Sequence, residues 1–150
     1  MTHIFVAIGA GISSGAIVLF LSHIAPRFGA GNFIRDLDRP HAFGKAITRR
    51  EAHLLGIFVH LLLSGIFGGV YAALVAVGVF SGFFLLPLLG WGLLLTLVIG
   101  GVVLPLEGHG LFGVREDAWF PVDLLLTNVL WSVLFWWLMR VWLGLIFTSS

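Results

Sequence analysis

Four long apolar runs divide the chain, separated by two polar stretches and one short uncharged turn. The clearest run follows Arg49, Arg50 and Glu51, where RREAHLLGIFVHLLLSGIFGGVYAALVAVGVF (residues 49–80) passes from charge straight into apolar and small residues interrupted by His53 and His60. Such a helix exceeds the ~20 residues that cross ~30 Å of hydrocarbon, so it must tilt or project beyond the lipid. The same pattern predicts a first helix over 4–25 ending before Pro26, a third over 86–104 closed by Pro105, and a fourth over 122–147. With the second helix over 51–80, the expected fold is all-α and integral to the membrane: one four-transmembrane-helix bundle over residues 1–150, with polar loops at 26–50 and 105–121.

Small residues mark where these helices should meet. Gly11 and Gly15 make a GxxxG step beside Ser13 and Ser14, and Ser64, Gly65, Gly68, Gly69, Ala72, Ala73 and Ala76 recur at three-to-four spacing on the second helix. Such stripes let backbones approach closely. An internal repeat is the minority reading of a second pattern: His60, Ser64, Phe67 and Asn128, Ser132, Phe135 share the same offsets, and Phe-Gly pairs (28–29 and 112–113) follow the first and third helices. A duplicated helical hairpin produces this pattern, and so does coincidence in an alphabet this apolar. Trp131 and Trp136 lie too centrally for an interfacial belt and are expected to face lipid or a partner, whereas Trp119 and Trp142 suit the belts.

Composition places the chain in the bilayer. It is 59% hydrophobic and only 10% charged, with a mean hydropathy of +1.10, against about 25% charged residues in a soluble domain. A net charge of +1 gives no sign of nucleic-acid binding, and the absence of cysteine excludes disulfides, thiolate metal sites and thiol chemistry. The N-terminal run lacks the basic start and small-residue cleavage site of a secretory signal and reads as a retained first helix. Six of the Lys and Arg residues lie in 26–50, Arg115 lies in 105–121, and Arg140 alone falls near the other side. The positive-inside rule then puts both loops in the cytoplasm and both termini outside, as in a multi-pass protein of the inner (plasma) membrane. The long loop carries Phe28, Phe33, Ile34, Leu37 and Phe43 among its charges, which suits either a segment resting on the membrane surface or an ordinary solvated loop.

The stretches HLLLSGIFGGVYAAL (60–74) and GLLLTLVIGGVVLPLEGHGLFG (92–113) resemble the YagU-like and related DUF families of small bacterial inner-membrane proteins of unknown function. The resemblance implies a fold more than an activity. In those families the last helix tends to begin with a histidine and a nearby tyrosine, and here the corresponding positions are Asn128 and Trp131.

Candidate chemistry gathers toward the loop side, where His23, His53, Glu107, His109, Glu116, Asp117 and Asp123 are expected to converge. Imidazole with carboxylate suits zinc, non-haem iron or manganese, and Glu107, His109 and Asp123 are the candidate metal ligands. His23 and His53, at equal depth on neighbouring helices, could instead be the axial ligands of a haem b, with His60 and His109 as further cofactor-binding candidates. His60 with Asn128 forms either a proton-accessible pair or a hydrogen bond that fixes packing. Arg140, the remaining intramembrane polar group, either extends to the headgroups or pairs with a partner subunit. No nucleotide loop, HExxH or GxSxG pattern is present, so an enzyme is the minority reading. The expected role is a structural or accessory subunit that associates with copies of itself or within a larger membrane complex. The alternatives are a small haem-, metal- or proton-handling protein and a small transporter.

Overall fold

The structure is a computed structural model that describes residues 2–24, 41, 42, 45, 46, 48–106, 108–115 and 118–148. Four helical runs, His3–Ile24, His53–Ala76, Leu85–Leu106 and Phe120–Gly144, are long and apolar enough to cross a membrane. They belong to α1 (Thr2–Ile24), α2 (Arg49–Ala76), α3 (Leu85–Val98) and α5 (Phe120–Thr148). A π-helical turn (Ile99–Val103) joins α3 to the short α4 (Leu104–Leu106). Within the long connection the two-residue strands β1 (His41–Ala42) and β2 (Lys45–Ala46) pair antiparallel. Most of the surface-segment expectation for 26–50 lies outside the described residues.

Local chemistry sets the helix ends. α2 begins at Arg49, two residues before the expected start, because Thr48 and Glu51 form a capping box. The Glu51 amide donates to Thr48 Oγ1 at 3.2 Å, and the Glu51 carboxylate accepts from the Thr48 amide at 2.9 Å. These bonds satisfy donors that a helix start leaves open. They also hold the Glu51 carboxyl below its ordinary value, the backbone bond to Thr48 acting most strongly.

At its other end α2 stops at Ala76 rather than near Phe80. Gly78 turns left-handed (φ +81°), its amide bonds the Val75 carbonyl at 3.1 Å, and the Val79 amide bonds the Leu74 carbonyl at 2.9 Å. This is a Schellman stop, and glycine takes the positive φ without a Cβ penalty. On α3 the helix does not close at Pro105 but widens ahead of it, with the Leu104 amide reaching back to the Ile99 carbonyl. Proline lacks an amide proton and its ring crowds the carbonyl four residues earlier, and a π turn relieves both conflicts.

Registers between helices fix the topology. α1 runs antiparallel to α2, with Gly68 against Ala7, Gly11 against Ser64, and His23 against His53. It is antiparallel to α5 as well, through Gly9 against Trp142 and a Trp131–Gly11 hydrogen bond. α5 packs in turn on α3, where Asn128 reaches Thr96. The backbones of α1 and α2, α1 and α5, and α3 and α5 are in extensive contact. α2 and α3 meet instead through rings, Tyr71 lying 6.0 Å from Trp91. The core is centred there: Tyr71 and Phe135 are fully buried, Tyr71 stacks on Phe80 at 4.8 Å, and its hydroxyl donates to the Gly82 carbonyl at 3.0 Å. That bond satisfies the one polar atom of a side chain otherwise wrapped in apolar groups.

Candidate functional site

The site with most polar character lies along the seam between α1 and α2. A Cβ on Gly11 would collide with the Ser64 carbonyl oxygen, and one on Gly15 with the Ser64 hydroxyl. Gly65 and Gly69 make room for Ile12 and Ile8, and Gly68 faces the Ala7 carbonyl and the Phe135 ring. All six residues expected at helix–helix contacts, Gly11, Gly15, Ser64, Gly65, Gly68 and Gly69, therefore lie between α2 and its neighbours in the same chain. On the α3–α5 seam a Cβ at Gly92 would likewise meet the Ser132 hydroxyl. The two hairpins thus share a glycine-on-serine contact, Gly15 with Ser64 and Gly92 with Ser132.

Interior hydroxyls are mostly turned back on their own helices. Ser14 donates to the Ala10 carbonyl (2.7 Å), Ser132 to Asn128 (2.8 Å) and Thr96 to Gly92 (2.9 Å). This is the usual way a hydroxyl is satisfied where water is absent. Asn128 gives its amide to Thr96 Oγ1 (3.1 Å) and to the Leu124 carbonyl (3.0 Å). It therefore locks α3 to α5 and does not pair with His60, which lies on the other seam beside Gly15. The expected His60–Asn128 pair does not form, because the matching depths lie on different helix contacts. His60 Nε2 is sealed from solvent and, among the described residues, has no hydrogen-bond partner.

At the loop end of the seam His23 and His53 come together. Their Nε2 atoms are 3.4 Å apart, and the rings meet edge-on with centroids 5.3 Å apart and planes at 74°. His23 Nδ1 lies 2.8 Å from the Leu19 carbonyl, one turn back on α1. A carbonyl only accepts, so Nδ1 carries the proton and Nε2 of the neutral ring presents its lone pair to His53. The pair does not fit the expected haem. Two axial nitrogens are separated by two metal–nitrogen bonds, about 4 Å, with a macrocycle between the rings. Here the two nitrogens are in direct contact.

The other candidate ligands among the described residues come from the turn after α4 and the start of α5. His109 sits in the turn after α4, its amide bonded to the Leu104 carbonyl at 2.9 Å, and Asp123 lies in the first turn of α5. Glu107, Glu116 and Asp117 fall outside the described residues. Among the described residues no three His, Asp or Glu side chains gather around one point that could hold a metal.

Three features were not apparent in the sequence reading. Trp131 faces neither lipid nor a partner: it is buried, stacks on Phe135 at 5.0 Å, and donates from Nε1 to the Gly11 carbonyl at 3.2 Å. Its distance from both interfaces was the available signal. Thr96, the partner of Asn128, is the only hydroxyl in an otherwise apolar run. Trp91 is buried with its Nε1 unpartnered, and nothing in its sequence surroundings marks it. Arg140 is exposed on α5 with its guanidinium over the Trp136 ring, 5.3 Å from the centroid, a favourable cation–π position.

No family model, curated protein or solved structure matches the chain, so its site is read from its own geometry.

Proposed function

We propose that this chain is a multi-pass inner-membrane protein that works as a structural subunit, seating a transmembrane helix of another subunit against its α1–α2 hairpin. The observation that carries this reading is a furrow of about 350 Å³ along the outer side of that hairpin. It runs from Ile4 to Ile12 on α1 and from Leu62 to Ala73 on α2, with buried Gly65 and Gly69 on its α2 wall. Fluid acyl chains adapt to any relief, so a lipid-facing helix pair needs no such shape. The isoleucine ridge of α1, seated over Gly65 and Gly69, and the Leu62, Ile66 and Val70 side of α2 leave between them a groove of the kind into which a transmembrane helix packs.

The rest of the molecule fits a packing role. Ring stacking and back-bonded hydroxyls fill the interior. The Lys and Arg count, six in 26–50 and Arg115 in 105–121 against Arg140 alone toward the other side, favours cytoplasmic loops with both termini outside. The resemblance to YagU-like families favours a bacterial inner membrane. The shared glycine-on-serine contact supports a duplicated hairpin whose second copy has lost the equivalent histidine to Asn128.

The test is native mass spectrometry of the chain extracted mildly from its own membrane, compared with Ile66→Trp and Val70→Trp. Both positions line the furrow and are exposed, so a larger ring fills it without entering the core. A heavier assembly in the wild type that dissociates in both variants is the expected result. A lone wild-type chain, or an assembly indifferent to both substitutions, refutes the reading.

A further inference from the structure

We infer that His23 and His53 form a seat for one divalent transition-metal ion of the zinc class, which clips the loop ends of α1 and α2 together. Three observations carry this. First, the spacing matches: two metal–nitrogen bonds of about 2.05 Å meeting at the tetrahedral angle place their nitrogens about 3.3–3.4 Å apart, and the two Nε2 atoms are 3.4 Å apart. As a direct hydrogen bond the contact is long, against about 2.9–3.0 Å for a typical N–H···O bond. Second, His23 has the outer contact typical of a metal-bound imidazole, its Nδ1 proton given to a backbone carbonyl, here Leu19 at 2.8 Å. That bond fixes the ring and leaves the Nε2 lone pair available, 3.4 Å from His53 Nε2. Third, each histidine stands on a separate long helix, and the Gly11, Gly15 and Ser64 contacts hold those helices close, so the two nitrogens are positioned before an ion arrives.

Both rings bind in the neutral form. His23 presents Nε2, and His53 coordinates through Nε2 when its ring proton is on Nδ1. Two imidazoles occupy half of a tetrahedral shell, and water or an oxygen ligand completes it. Imidazole with oxygen selects Zn²⁺, Cu²⁺ or Ni²⁺ over Mg²⁺ or Ca²⁺. This site is independent of the furrow and of any partner subunit, so metal uptake and native mass can fail separately.

The experiment uses the full chain in detergent micelles after chelator treatment, titrated with Zn²⁺ by calorimetry and with Co²⁺ by visible absorption. The expected result is one equivalent bound, with affinity at least tenfold weaker in His23→Gln and in His53→Gln and unchanged in His3→Gln, at the far end of α1. Zinc should also raise the melting temperature of the wild type and leave both seam variants unmoved. No uptake by the wild type, or uptake unaffected by both seam substitutions, overturns the site. Should a variant misfold, X-ray absorption of the zinc-loaded wild type decides: two imidazole nitrogens at about 2.0 Å support the seat, and one or none refutes it.

Discussion

Replacing Gly11 with alanine tests the central packing claim, because this residue is pressed from two sides. The added Cβ would overlap the Ser64 carbonyl oxygen, with the Ser64 carbonyl carbon at 3.1 Å and the Gly65 Cα at 3.4 Å. All three are backbone atoms of α2, so no rotamer change relieves the clash, and α1 has to move away. Movement is opposed on the other flank, where the Gly11 carbonyl accepts from Trp131 of α5. Overpacking of this kind costs about 1–3 kcal/mol, and loss of the tryptophan bond adds about 0.6–1.7 kcal/mol. The opposing gain, exchanging glycine for alanine within a helix, is at most about 1 kcal/mol. With the full alanine gain subtracted, the net expectation is destabilisation of about 0.6–3.7 kcal/mol.

Gly56→Ala supplies the control, since a Cβ there meets nothing within 4 Å and only the helix-propensity gain applies. Reversible unfolding in mixed micelles, followed by tryptophan fluorescence, measures both. Gly11→Ala unfolding at or above the wild-type denaturant midpoint, with Gly56→Ala beside it, would show that α1 and α2 do not approach as closely as described.

Trp131→Phe keeps the stacking on Phe135 but removes the donor to Gly11, and should cost about 0.6–1.7 kcal/mol in the same unfolding assay. Thr96→Val and Asn128→Leu should each destabilise, with a double-mutant coupling near 0.6 kcal/mol; additivity of the two would deny their hydrogen bond. Glu51 has a folded-state pKa lowered from 4.5 by its bonds to Thr48, so its contribution is fully present above that value and is lost as pH falls through the lower folded one. Amide protection in the first turn of α2 should therefore drop selectively in acid; Glu51→Gln should abolish that pH dependence, and Thr48→Ala, which keeps the backbone donor, should only reduce it.

The four helical runs were legible because crossing hydrocarbon demands length and apolarity, and both are properties of the sequence alone. The stops were less so. Gly78 ends α2 by a bonding pattern that needs its neighbours' carbonyls in place, and the apolar run continues to Phe80 without a break in hydropathy. The capping box at the start of α2 was readable in Thr48-Arg49-Arg50-Glu51, but charge beside an apolar run drew the boundary to Glu51 instead.

Depth and seam are different kinds of information, and this separates the correct pairing from the mistaken one. Counting residues from the loop end gives the depth of a side chain, and on that measure His60 matched Asn128 as well as His23 matched His53. Depth does not say which helix faces which. α2 turns His60 toward Gly15 of α1, whereas α5 turns Asn128 toward Thr96 of α3. His23 and His53 met because they flank a single loop, so the connection makes their helices neighbours. Small residues then completed the selection: the Gly11, Gly15 and Ser64 contacts bring α1 and α2 close enough for two imidazole nitrogens to come within 3.4 Å. A pair predicted across helices joined by one loop therefore rests on firmer ground than a pair of equal depth whose helices have no such reason to touch.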